Sequence, residues 1–461
     1  MSKIKLLINS KTKNLLIFLL LIAVAFLLRS WHYAYFPIGG ETADENAWTL
    51  LGSSLIQEGT PASWSYFSAY DNYHYIEGVY NAPIVRPDLD HPPLFSLLPG
   101  TAHSLKADWL AAPSLKVIRL PLVILGAINV GIFWLVLRQV FTQKWALVGT
   151  SLFLTIPSLV FGSRLVVAEN LLVTWILLTL LIIFNKSSLT KQNRWTGWLL
   201  ALFSAAAVLT KVSGLIIPAS LFIYGLLIKQ PKITKIAGIG GLLGASLFAL
   251  YGAIYNWPLF LAVLTDQSAR QLGLATLQNR LFLNPALVRH PFFDGWKVLG
   301  LFASFWLLVQ PTKNKKLLLV HLFTIFSLLF IGLTVGEDTF HGWYDFVLWP
   351  SLIISSTALL QTIWQTKNGL LVGLVWLLLL PSLRLALMFS DNYADLGNWL
   401  MRGIVLIGFL PLGWQALNRQ NLIRKTMLVL FVILLTANLT SILSITHEAY
   451  WLQADFFGSL L

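Results

Sequence analysis

Residues 14–48 read NLLIFLLLIAVAFLLRSWHYAYFPIGGETADENAW. From Leu15 to Leu28 no polar side chain interrupts the run. With its flanks the segment, expected to span near 15–35, is long enough at about 1.5 Å per residue to cross about 30 Å of hydrocarbon. Trp31, Tyr33, Tyr35 and Phe36 follow as an aromatic anchor at the membrane-water boundary. No small-residue cleavage site comes after the apolar stretch, so it reads as a retained signal-anchor rather than a removable leader. Glu41, Asp44 and Glu45 then open a polar segment that lies, by this reading, on the far side.

The same pattern repeats along the chain. A sequence of 461 residues that is 57% hydrophobic and 11% charged carries more apolar surface than a soluble domain hides, which makes it an integral membrane protein. Further spans are expected near 117–137, 145–162, 169–185, 195–210, 212–228, 236–255, 297–310, 317–335, 343–361, 369–388, 399–416 and 426–443. The predicted fold is therefore an all-α polytopic membrane protein of about 13 transmembrane helices, one membrane domain over residues 1–461.

Charge gives the orientation. All 19 carboxylates fall in segments assigned to one side, while the connectors on the other carry cations alone, among them Arg138 and Lys144, Lys229 and Lys232, and Arg424 and Lys425. That is the positive-inside pattern, so the amino end is expected in the cytoplasm and the carboxyl end outside. The net charge of +13 is spread over short clusters between spans rather than one face, which excludes nucleic acid as a partner. With no Cys, disulfides, thiolate metal sites and cysteine catalysis are excluded as well.

Two outer loops, 37–115 and 256–296, are too long to be mere connectors. The first holds enough aromatic surface, Trp48, Trp64, Tyr70 and Trp109 among it, to fold. Ala43, Ala47, Leu50, Leu51 and Leu55 recur with helical spacing, Thr42 and Glu45 have the spacing of a capping box, and Gly59-Thr60-Pro61 ends the segment. A short amphipathic helix is thus expected along the outer interface. Glu45 reads equally as a cap and as a site residue. Asp44 is not needed by the box: it either complements the helix dipole or faces a substrate. His91, before Pro92-Pro93, is either a turn residue or a contact for an anion. A divalent metal stays open, because Glu41, Asp88, Asp90 and His91 can approach one another without a diagnostic spacing. Lys211 between two spans either snorkels to the headgroups or faces a ligand.

Several pieces in order resemble a known superfamily. They are Asp44-Glu45 after the first span, His91-Pro92-Pro93-Leu94, Arg119-Leu120-Pro121, Arg164 with Glu169, Leu209-Thr210-Lys211, and His341-Gly342-Trp343-Tyr344 before Trp349-Pro350. Together they look like the lipid-dependent glycosyltransferases of the GT-C superfamily, in particular the protein O-mannosyltransferases and their bacterial relatives that modify lipid A. The resemblance implies an inverting enzyme that takes a sugar from a polyprenyl-phosphate carrier to an acceptor lipid, glycan or protein on the outer face. It implies Asp44 as the catalytic base and Glu169 as a second catalytic carboxylate, and Glu45, His91, Lys211, Arg270, His341 and Tyr344 as substrate-binding residues. Two departures matter. His91 stands where the lipid A-modifying branch tends to have lysine, and the soluble insert of the protein O-mannosyltransferases has no counterpart here. A transporter or lipid-linked-sugar flippase is the rival reading. It calls for ionisable groups in span centres, which are nearly free of charge except for Arg384.

Overall fold

The computed structural model describes residues 10–39, 42–77, 83–185, 194–269, 295–310, 314–335, 342–388 and 398–444. The first helix, α1 (Ser10–Ser30), exposes Leu16, Leu20 and Leu27 along its length. Large apolar side chains left open in such rows have lipid as their solvent. Among the described residues six helical segments are, by length and composition, able to cross a membrane: Thr12–Ser30, Leu115–Val140, Pro231–Tyr255, Lys315–Thr334, Gly342–Thr366 and Gln420–Ser444. Shorter apolar helices fill the bundle between them.

In chain order the outer loop contributes α2 (Asp44–Glu58), α3 (Leu97–Ser104) and the short α4 (Leu115–Ile118). The bundle then follows with α5 (Leu120–Val140), α6 (Gln143–Thr155), α7 (Pro157–Gly162), α8 (Glu169–Phe184), α9 (Arg194–Thr210), α10 (Ile216–Leu227), α11 (Pro231–Tyr255) and α12 (Trp257–Ser268). Last come α13 (Gly295–Val309), α14 (Lys315–Thr334), α15 (Trp349–Thr366), α16 (Gly369–Met388), α17 (Asn398–Ala416) and α18 (Gln420–Ser444). In the core α1 packs on α5, α5 on α8, α9 on α11 and α13 on α15.

Breaks in the expected spans have local causes. The segment near 145–162 is two helices, because Ile156 precedes Pro157 and is held extended. Lys211 is also extended and separates α9 from a 3-10 turn, Val212–Leu215, that leads into α10. The span expected near 343–361 begins as a 3-10 turn, Gly342–Leu348, before α15 takes over at Trp349-Pro350.

The outer loop departs most from the sequence reading. It contains a small antiparallel sheet in the order β1-β3-β2, with β1 Ser63–Trp64, β2 His74–Ile76 and β3 Ile84–Val85. The capping box does not form. Ala43 occupies the N-cap without a side-chain bond, and the Thr42 hydroxyl accepts from the Asp44 N–H at 3.1 Å instead. Nor is α2 a one-sided amphipathic helix, since every residue from Trp48 to Ser54 is buried. It crosses α3 almost backbone to backbone: a Cβ on Gly52 would sit 1.8 Å from the Ser96 carbonyl oxygen. The expected stop does occur, with Gly59 at φ 68° accepting the left-handed conformation that ends α2.

Hydrogen bonds dock this loop on the bundle. The Asp266 carboxylate of α12 accepts from Ser68 Oγ and the Ala69 N–H, Tyr251 of α11 donates to the Asp88 carbonyl, and Gln267 donates to the Asp90 carbonyl. Of the second long loop, α12 is described. Arg270, together with Arg280 and Arg289, lies outside the described residues, as do Glu41 and His341.

Candidate active site

Asp44 is the first residue of α2 and is half-buried. Three residues from the bundle gather near it. The Lys211 ammonium donates to Glu169 Oε1 at 2.6 Å and lies 4.6 Å from the centre of the Tyr344 ring. Burial pulls the Lys211 ammonium toward neutrality. Glu169 first, then Tyr344 and Asp44, oppose that, and the balance holds it above the ordinary lysine range. Glu169 is 1% exposed at the start of α8, and its second oxygen, Oε2, has no hydrogen-bond partner among the described residues. A half-buried carboxylate, a fixed cation and a buried carboxylate with a spare acceptor thus share one place.

Backbone geometry explains how they meet. Lys211 sits, with extended backbone, in the break between α9 and the turn that leads into α10. The Leu94 N–H donates to the Leu209 carbonyl at 3.1 Å, which ties the outer loop to the end of α9 two residues before Lys211. Tyr344 is brought in by the Gly342–Leu348 turn. That turn is anchored in turn by a buried ion pair between Asp345 and Lys297 of α13 at 2.5 Å.

Glu45, expected to bind substrate, has its carboxylate committed elsewhere. One oxygen accepts from Arg119 Nε at 2.8 Å and from the Val166 N–H at 3.1 Å, and the other accepts from Arg119 Nη2 at 2.6 Å. Arg119 also donates to the Tyr33 and Pro37 carbonyls. This fully buried, bidentate pair joins the exit of α1, the entry of α5 and the approach to α8 directly beneath Asp44. A charge-assisted fork of this kind is stronger than a helix cap, which is why the capping box is lost.

His91 stacks on Trp48 with centroids 4.7 Å apart, and Trp48 meets Phe95 edge-on. Beside it is a buried acidic pair. Tyr70 donates to Asp90 at 2.7 Å and approaches Asp88 at 3.4 Å, and Ser65 donates to the other Asp90 oxygen at 2.9 Å. Burial, then Asp90 and Asp88, raise Tyr70 above the usual phenol range, so it remains a donor. Burial first, and the charge of Asp90 second, push the Asp88 carboxyl well above the usual carboxylate range. Among the described residues no three His, Asp or Glu side chains converge to hold a metal ion.

The raised Asp88 carboxyl has a consequence for stability. At pH values between its unfolded and folded pKa, only the folded chain keeps the proton, so stability falls as pH rises through that window. Replacing Asp88 with Asn removes the group that titrates while retaining a carbonyl acceptor for the Asp90 N–H. Thermal unfolding of Asp88→Asn from pH 5 to 8 is expected to decline less steeply than that of the wild type. Parallel slopes for the two proteins would contradict the assignment.

Sequence reasoning missed the Lys297–Asp345 pair. The only available signal was an acid immediately after Tyr344 and a lysine opening a predicted span. Nor does the sequence give the partners of Arg119 and Arg164. Arg164, wholly buried, donates to the Phe36 and Leu28 carbonyls and so closes the end of α1.

Comparison with known proteins follows the same lines. Residues 90–257 match the family model of the dolichyl-phosphate-mannose-protein mannosyltransferases. ArnT from Cupriavidus metallidurans in its apo state has a similar structure, with TM-score 0.50 and 15% identity over 95% of this chain and 77% of that one. The same protein bound to undecaprenyl phosphate gives 0.51 and 13% over 94% and 77%. The oligosaccharyltransferase of Archaeoglobus fulgidus, at TM-score 0.47 and 12% identity, covers 95% of this chain and 57% of its own. No curated protein matches the sequence. The fold is that of the GT-C membrane glycosyltransferases.

Proposed function

We propose that this chain, a membrane-embedded glycosyltransferase of the GT-C superfamily, moves a sugar from a polyprenyl-phosphate donor to an acceptor hydroxyl or phosphate on the outer face of the membrane, with inversion. The carrying observation is the convergence of Asp44, Lys211 and Glu169 on one half-buried site where the outer loop meets the bundle. Inversion by single displacement needs one base to take the acceptor's proton, and Asp44 fills that role. The departing group is already an anionic phosphate, so it needs cations rather than a protonating acid, and Lys211 supplies one where charge develops. Glu169 holds Lys211 in place and offers Oε2 to a sugar or acceptor hydroxyl. Tyr344 and His91 border the donor, and Arg270 and His341 are assigned to its phosphate or sugar. Glu45 acts through its pairing with Arg119, as a residue that positions Asp44. The orientation that fits is thirteen crossings with the amino end cytoplasmic and the carboxyl end outside, so that the single-sided carboxylates share the compartment of the acceptor. Surrounding lipids and a lipid, glycan or protein acceptor are the partners.

The purified protein, incubated with polyprenyl-phosphate sugars and candidate acceptors, is expected to release free carrier phosphate and yield a product of inverted anomeric configuration. Movement of intact lipid-linked sugar across vesicles, with neither transfer nor hydrolysis, would replace this reading with that of a flippase.

A further inference from the structure

At the end of the bundle away from Asp44, a cavity of about 100 Å³ opens between α6, α15, α16 and α18. Its walls are hydrocarbon: Val148, Ile363, Val375, Leu379, Phe431 and Leu434. Trp296 and Trp376 add ring faces, and their N–H groups are bonded to Asn438 and the Ile404 carbonyl. Leu434 lies well into α18, about 20 Å along its axis from Gln420, so the space runs from the membrane boundary toward the middle of the bundle.

The rim has the opposite character. The Lys144 ammonium lies 4.3 Å from the centre of the Trp364 ring, and the Arg424 guanidinium lies 5.6 Å from the same ring. Arg424 also donates to the Trp364 carbonyl. Two like charges therefore share one indole, and among the described residues neither has a carboxylate within ion-pairing distance. The connectors at this face carry no acid that could serve either of them. Two cations gathered at one indole, at the low-dielectric edge of a membrane, attract an anionic group. An anionic head joined to a long apolar tail is the ligand whose two ends match the two ends of this cavity.

We propose that the cavity binds an anionic phospholipid of the leaflet opposite the one Asp44 faces. Lys144 and Arg424 hold its phosphate, and one acyl chain lies between α16 and α18. This is a structural lipid site remote from the chemistry, on the face where a positive-inside protein meets the anionic leaflet.

Delipidated full-length protein in neutral detergent, titrated separately with phosphatidylglycerol and with phosphatidylcholine of the same chains, provides the test, read by thermal unfolding. Phosphatidylglycerol is expected to bind about 30-fold more tightly, the combined effect of two basic residues on one anionic headgroup. The Lys144→Gln/Arg424→Gln pair is expected to lose that preference while still binding phosphatidylcholine, and Val375→Trp to weaken both lipids by narrowing the cavity. Equal binding of the two lipids by wild type would overturn the proposal, and this comparison stands even where the double variant fails to fold. So would a preference that survives in a folded double variant, or an equal stabilisation by inorganic phosphate. If undecaprenyl phosphate shows the Lys144- and Arg424-dependent preference and phosphatidylglycerol does not, the occupant is the carrier lipid and the proposal fails.

Discussion

Asp44→Asn is expected to slow sugar transfer by about 10²- to 10⁴-fold, the range over which a positioned general base acts. The substitution keeps the size and shape of the side chain and leaves the bond from the Asp44 N–H to Thr42 untouched, because that bond is made by backbone. The fold of α2 does not depend on the carboxylate either: Glu45 and Arg119 fix the helix start from below. Carrier-lipid affinity and thermal stability are therefore expected to stay close to wild type while turnover collapses. Release of carrier phosphate from a lipid-linked sugar, measured under single-turnover conditions, is the readout. A variant with wild-type turnover would remove Asp44 as the base.

The second large effect concerns Lys211 and Glu169. Lys211→Met strands the Glu169 carboxylate, which is 1% exposed and has Lys211 as its ion-pair partner. Breaking a buried pair in this way costs about 3–5 kcal/mol, mostly because an uncompensated charge stays behind. Adding Glu169→Gln removes that charge, so the double variant is expected to recover most of the lost thermal stability. Activity should not recover with it. Loss of a cation placed where phosphate charge develops is worth about 10²- to 10³-fold in turnover. The divergence separates two roles: stability follows the charge balance of the buried pair, whereas turnover follows the presence of Lys211 and Glu169 in the site. A stable double variant that transfers sugar at the wild-type rate would mean that Lys211 is a strut and nothing more.

These expectations also mark where reading the sequence stopped. Asp44 was legible because it stands just past an aromatic anchor, in a segment whose side of the membrane the charge pattern assigns. Lys211 was legible as a cation between two apolar runs, but the same position suits snorkelling, and nothing nearby in sequence decides between the two. Its partner is 42 residues away. Glu45 reads as a cap or as a site residue, with Thr42 three residues earlier, yet the group that holds its carboxylate is 74 residues distant. Asp88 and Asp90 read, with Glu41 and His91, as an open metal possibility; in the structure Tyr70 and Ser65 donate to Asp90, and the Asp90 N–H donates to Asp88.

The sequence by itself determined that the chain is built of membrane helices, and its charge pattern set the expectation of which residues share one side. Lipid imposes those features locally: a span must run apolar for about 20 residues, and basic residues stay behind in short connectors. Only the tertiary structure decided which carboxylate pairs with which cation, how α2 and α3 cross at Gly52, and that Lys144 and Arg424 both approach the Trp364 ring that lines one apolar cavity. Those outcomes depend on which helices become neighbours. Burial then forces each charged group to find a partner across the bundle, at separations that no local pattern encodes.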